Sequence, residues 1–275
     1  MRYPSEDEGL KNKIIHIMKK SWRDVTIDEY FNLVDRLSDE GLTEYEREVI
    51  LVSFVTGLDE DKVWDMTIGE FKANQLNTAF MKEFNVARDC NFKTIQFAGE
   101  KYDVCTDLHN FTVAQYIDFQ TFYAQRRTSN LQADRKVGRN NANILASLLA
   151  CFIIPRDVKS PDGTLLPRGH GYAEGYDVND LKLKIINGLD ILTAEELLFF
   201  FLKRYLLSMR ATANYFNWAI RRLKRKGMPT DELEARWEEV KKATLDGLRS
   251  LTTSVGSLGS LGTASFEKTS TSSLT

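Results

Sequence analysis

The chain has 275 residues, 43% hydrophobic and 28% charged, with a formal net charge of −2. This length and apolar content allow one large domain or two modest ones around a sizeable core, and the near-neutral balance excludes a polyanion binder acting through overall charge. Cys90, Cys105 and Cys151 form no CxxC pair, so neither a disulfide framework nor a zinc site is indicated, and a reducing compartment fits.

The stretch MRYPSEDEGLKNK is charged and without an apolar run, unlike a signal peptide. Residues 14–18 are a short apolar run with basic flanks, compatible with a strand or a helical turn. Start signals follow in quick succession. Thr26-x-x-Glu29 is a capping box, in which the threonine oxygen takes a free backbone N–H and the glutamate reaches back. Tyr30, Phe31, Val34 and Leu37 then recur at helical spacing, and Gly41 ends that helix. Thr43-x-x-Glu46 opens a second helix with Val49, Ile50, Val52 and Phe54 on its apolar side, closed by Gly57. Asp59 starts a short helix through Trp64, and Thr67-x-x-Glu70 opens another.

Residues 91–105 change period. FKTIQF, AGE and KYDVC read as a hairpin with a tight glycine-containing turn. Thr112-x-x-Gln115 starts a helix whose Val113, Tyr116, Ile117, Phe119, Phe122 and Tyr123 cover a broad face. Residues 125–139 are polar and basic and read as a loop. An apolar helix over 143–154 is expected to stop at Pro155. Residues 155–177, rich in Pro and Gly, read as an ordered loop or hairpin. A short helix over 180–187 ends at Gly188. Thr193-x-x-Glu196 is expected to open the longest helix, running to Lys226 and about 50 Å long. The run 197–209 within it carries Lys203 and Arg204. It falls short of the roughly 18 apolar residues a membrane span needs, so it reads as a core helix. A last helix over 231–249 bears a stripe of Leu233, Trp237, Val240 and Leu248. Residues 251–275 are rich in Ser, Thr and Gly and cannot bury enough surface to fold alone.

Chemistry-bearing residues are sparse. No Walker loop, GxSxG elbow, HExxH or dinucleotide fingerprint is present. Gly169-His170-Gly171 reads as a turn with an exposed histidine, in preference to a catalytic loop. His16 and His109 have no ligand-spaced neighbours. Asp177, Asp180 and Asp190 read as carboxylates near helix starts in preference to cation ligands. Cys151, in an apolar helix, reads as a buried thiol. Arg221, Arg222, Lys224, Arg225 and Lys226 are the densest charge cluster. They form either a patch that contacts nucleic acid or a partner, or a solvated helix terminus whose cations complement the dipole. The acidic residues Asp231, Glu232, Glu234, Glu238 and Glu239 could fold back on them. Arg126, Arg127, Arg135, Lys136 and Arg139 form a looser basic stretch. The stripe Leu233, Trp237, Val240 suits docking on a partner helix or packing on the protein's own long helix.

A resemblance goes further. Val25-Thr26-Ile27-x-x-Tyr30, the helix over 49–54, Thr56-Gly57-Leu58-Asp59-Glu60-Asp61-Lys62-Val63 and Met66-Thr67-Ile68-x-x-Phe71 resemble small helical modules of tailed-bacteriophage structural and tail-assembly proteins. Thr112-Val113-Ala114-Gln115-Tyr116-Ile117-Asp118-Phe119, the helix 144–155 and the segment 194–205 with three consecutive phenylalanines are similar to virion-associated proteins of crAss-like and related phages. Together these cover about residues 20–225.

The expected fold is therefore mainly α with a small β-hairpin, a multi-helix bundle with one long helix. The expected divisions are an N-terminal module over 1–88, a hairpin-plus-bundle domain over 89–250 and an arm over 251–275. The resemblance implies a non-enzymatic virion protein of the portal-proximal neck and tail region, without cofactor or metal. Its implied partners are further copies in a homo-oligomeric ring and the portal and tail proteins; the basic helix end is a candidate contact for packaged DNA on the reading of its charge cluster above. It would be assembled in the bacterial host cytoplasm, without a membrane span. An internal cargo protein and a tail-assembly chaperone are alternatives within that class. A helix-turn-helix regulator over 43–71 is the rival, but such a motif needs a basic recognition helix and this one is acidic.

Overall fold

A computed structural model of the chain describes residues 18–87, 92–105, 111–131, 138–168, 170–226, 229–235, 237, 238 and 242. The element order is a 3-10 turn (Trp22–Asp24), α1 (Ile27–Leu37), α2 (Glu44–Thr56), α3 (Glu60–Trp64), α4 (Ile68–Gln75), a 3-10 stretch (Leu76–Lys82), β1 (Thr94–Phe97), β2 (Glu100–Val104), α5 (Val113–Leu131), α6 (Gly138–Ala150), β3 (Ile153–Pro155), α7 (Val178–Gly188) and α8 (Ile191–Arg225). The fold is mainly helical with a small antiparallel sheet, as the sequence pattern predicts. No helix among the described residues is long and apolar enough to cross a membrane.

The chain forms two compact units, residues 1–20 with 41–79 and residues 21–40 with 80–275. The division runs through the segment expected as one N-terminal module, because 21–40 cluster with the residues after 80.

In the first unit, α2 packs on α3 and α4. Val49, Val52, Val63 and Phe71 form its core, with Leu58 and Met66 against them. Two of its helix starts are capping boxes. The Glu46 N–H donates to Thr43 Oγ1 at 3.3 Å while the Thr43 N–H donates to the Glu46 carboxylate at 2.7 Å. Thr67 and Glu70 repeat the exchange. Asp59 sits at the start of α3 but makes no side-chain cap; its carboxylate pairs with Lys62 at 3.3 Å. Gly57 closes α2 in the left-handed region at φ 69°, where a Cβ is strained. The apolar run 14–18 lies almost wholly outside the described residues.

In the second unit, β1 and β2 pair with Thr94 opposite Asp103 and Phe97 opposite Glu100. Ala98 and Gly99 between them both have positive φ, the two-residue turn whose twist matches a hairpin. A third strand extends the expected hairpin, with Tyr102 opposite Pro155 and Val104 opposite Ile153. This corrects the helix expected over 143–154. The helix ends at Ala150, because residues 153–155, the proline included, pair with β2 as a strand.

The expected loop over 125–139 is also corrected in part, since α5 stays helical to Leu131 and α6 begins at Gly138. Helix α6 is buried from Ile144 to Ala150 and packs on α1, α5, α7 and α8. Phe152 stacks on Phe201 with centroids 4.2 Å apart, and Phe119 meets Phe201 edge-on at 5.0 Å. Trp22 is buried among Tyr30, Phe80 and Phe84, and its Nε1–H donates to the Glu83 carbonyl at 3.0 Å.

Helix α8 begins earlier than expected. Asp190 is its cap and accepts from the Thr193 N–H at 2.8 Å. Thr193 and Glu196 do not form the expected box. Both bind Arg23, whose guanidinium donates to Thr193 Oγ1 at 2.5 Å and to both Glu196 oxygens at 2.8–2.9 Å. The helix runs 35 residues, to Arg225. The last helix expected over 231–249 is described only to 235 and at 237, 238 and 242; residues 251–275 lie outside the described residues.

Candidate functional site

Two features of the second unit have the make-up of a site, a cleft beside the sheet and the C-terminal half of α8. The cleft, of about 700 Å³, opens between the hairpin, the segment after β3 and the start of α7. Lys101, Arg156, Lys159 and Lys184 face it, and so do Glu100, Asp157, Asp177 and Asp180, four charges of each sign.

Several of these charges are committed to one another. Lys184 donates to Glu100 at 2.9 Å and lies 3.2 Å from Asp180, so Glu100 first and Asp180 after it hold the ammonium above its ordinary value. The Lys184 ammonium in turn holds the Glu100 carboxyl low. Arg156 donates twice to Asp103, which keeps its guanidinium above the ordinary value. Asp177 caps α7 through the Asn179 N–H at 2.8 Å. No serine, cysteine or histidine is among the residues lining this cleft. The arrangement is a charge-balanced polar surface, suited to hydrogen bonding.

His170 packs against Tyr176, one of the residues lining the cleft. It is 5% exposed, and its Nε2 lies 2.8 Å from the Pro155 carbonyl. The expectation of an exposed turn histidine is overturned, because the ring is drawn in by a carbonyl acceptor at the end of β3 and packs edge-on against Tyr176. Cys151 is fully buried and burial pushes its thiol up to about 12, in keeping with a buried thiol. Asp177 and Asp190 serve as helix caps and Asp180 pairs with Lys184, and no group of possible metal ligands occurs among the described residues. His16, His109 and Cys90 lie outside the described residues.

The five cations expected as a contact patch close α8. Arg221, Arg222, Lys224, Arg225 and Lys226 are all exposed. The fold-back of the acidic segment is present at one point, where Lys224 Nζ lies 2.7 Å from Glu234. Thr230, buried at 6%, donates from its hydroxyl to the same carboxylate at 2.7 Å. Leu233 and Trp237 are half-buried in this returning segment, and Val240 lies outside the described residues.

Beside the cations stands a feature that charge counting missed. Leu207, Tyr215 and Trp218 are 53%, 61% and 52% exposed on α8. At 100° per residue they share one face with Arg222 and Arg225, and Ile220, buried at 8%, points the opposite way. Arg222 lies over the Trp218 ring at 5.1 Å, and Tyr215 and Trp218 are 6.1 Å apart. The i, i+3, i+7 spacing of Tyr215, Trp218 and Arg222 is the signal that would have found it.

The other basic stretch is divided. Arg126 is structural, donating to Glu195 at 2.9 and 3.2 Å inside the unit. Nothing is described of the side chains of Arg127 and Arg139, and Arg135 and Lys136 lie outside the described residues.

No protein-family model matches the chain, and no curated protein or solved structure is similar to it.

Proposed function

We propose that this chain is a non-enzymatic structural protein of a tailed-phage virion, placed in the portal-proximal neck and tail region and assembling as a homo-oligomer. The observation that carries the reading is the outer half of α8. Among its described side chains beyond Tyr205, Ile220 is the buried one, while Leu207, Tyr215 and Trp218 stand in solvent. A helix of about 50 Å that exposes an aromatic stripe is suited to packing against a neighbour. The ordered resemblance over about residues 20–225 supplies the class of particle. Helix packing makes the contact and the arm over 251–275 orders on an adjacent copy.

The helix-turn-helix rival is disfavoured by charge. Residues 41–79 carry eight carboxylates against three cations, the wrong sign for phosphate.

Interrupting the coding sequence in the phage tests the proposal. Heads should fill but fail to join tails, and a plasmid copy should restore infectivity. Infectious particles of normal appearance would reject it. Deleting 251–275 should lower the sedimentation coefficient of the assembly while the far-ultraviolet spectrum is kept; an unchanged oligomer rejects the arm.

A further inference from the structure

The first unit presents a surface of opposite character to the end of α8. Tyr45 and Trp64, 53% and 51% exposed, stack with centroids 6.1 Å apart, and Tyr45 stacks on the core residue Phe71 at 5.6 Å. Ile68 stands 70% exposed on the next helix of the unit. Glu44 adjoins Tyr45 in the chain, Asp65 adjoins Trp64, and Asp61 lies one turn before it; all three carboxylates are exposed. The buried Phe71 backs the Tyr45 ring.

We propose that this acidic aromatic face docks on the basic aromatic stripe of α8 in a second copy of the chain. The proposal rests on the homo-oligomeric reading above and names the surfaces that would make it. Trp218 and Tyr215 meet the Tyr45–Trp64 pair, and Arg221, Arg222 and Arg225 meet Glu44, Asp61 and Asp65. Glu44, Asp61 and Asp65 flank the Tyr45–Trp64 pair along the chain, with Lys62 among them, and the α8 aromatics stand among cations; an aromatic centre with a charged rim is the composition typical of an interface.

Charge complementarity chooses the occupant. The segment 218–226 holds five cations and no carboxylate; Glu234 meets Lys224, and the first unit has the surplus of carboxylates that would meet Arg221, Arg222 and Arg225. Because the two surfaces differ, the contact is head-to-tail. Such a contact closes into a ring or runs on as a filament, according to its rotation.

Reversal of charge in the full-length chain tests the contact by sedimentation velocity at several salt concentrations. Arg221→Glu with Arg222→Glu and Arg225→Glu should weaken self-association by at least about 100-fold, since like-charge juxtaposition costs several kcal/mol. Glu44→Lys with Asp61→Lys and Asp65→Lys should do the same. Mixing the two variants should restore the oligomer, because each altered face then meets its complement. Trp218→Ala and Tyr45→Ala should each weaken association without changing charge, and unchanged circular dichroism shows that the variants are folded.

Undiminished association of both triple variants would overturn the contact and leave a homo-oligomer made elsewhere. A wild-type chain that stays monomeric at every concentration would overturn both. Loss of DNA band-shift by the arginine variant with self-association intact would assign the stripe to nucleic acid and overturn the contact. Absence of the chain from particles would reject the virion reading while leaving this contact standing.

Discussion

Removing the guanidinium of Arg126 should destabilise the second unit more than any surface change of similar size. Arg126 and Glu195 are 14% and 7% exposed, and the two carboxylate oxygens accept from one nitrogen at 2.9 and 3.2 Å. Arg126→Ala leaves that carboxylate in the interior without its cation, a loss of about 3–5 kcal/mol for a broken buried pair. At roughly 2–4 °C per kcal/mol for a unit of this size, Tm falls by roughly 6–20 °C.

The neighbouring Tyr30 phenol makes the environment legible. Burial raises its pKa first, Glu195 raises it further and Arg126 opposes them. Adding Glu195→Gln to Arg126→Ala removes the stranded charge and should recover much of the loss. Denaturant melts of the four proteins in the cycle measure this. A single-variant loss under about 1 kcal/mol, or strict additivity in the cycle, would refute the reasoning.

Three further expectations are independent of that pair. Gly188→Val should destabilise by about 1–3 kcal/mol, because even a Cβ there would lie 3.1 Å from Ala98 Cβ and 3.3 Å from its amide nitrogen in the hairpin turn; a melt unchanged from wild type would contradict the close approach. Cys151, with its thiol pushed up to about 12, should resist a thiol reagent at pH 8 in the folded chain and react on unfolding, read by peptide mapping; prompt native labelling would contradict its burial. Asp162 is held down to about 2 by the Ser160 hydroxyl first and Thr164 after it. Its contribution to the 160–164 turn is therefore complete above the ordinary carboxyl value near pH 4 and is lost as pH falls through about 2. A carboxyl carbon titration by NMR should show that midpoint, and a midpoint near 4 would refute it.

What could be read from the chain alone was what local chemistry decides. The boxes at Thr26, Thr43 and Thr67 need only residues three apart, and all three are present. The hairpin needs a two-residue turn and alternation on its flanks, and its position was legible. The errors came from partners far along the chain. Thr193-x-x-Glu196 has the letters of a capping box, but Arg23 takes both side chains and Asp190 does the capping. Residues beyond Gln125 look like a loop, yet the helix continues and carries Arg126 to Glu195. Pro155 looks like a helix stop, yet its carbonyl receives His170 and its strand pairs with β2.

The candidate surfaces divide the same way. The cations at the end of α8 are plain in composition. The aromatic stripe beside them appears only when the helix is known to continue past the core, because Leu207, Tyr215 and Trp218 would otherwise be counted as core residues.

Quantitative mass spectrometry of gradient-purified phage particles, from lysates in which this chain is expressed, bears most directly on the proposal that it is a structural part of a virion. The chain should be found in the particles at a fixed small multiple of copies per portal assembly, retained after high-salt washing. Its absence from particles, with abundant protein in the lysate, would contradict that claim.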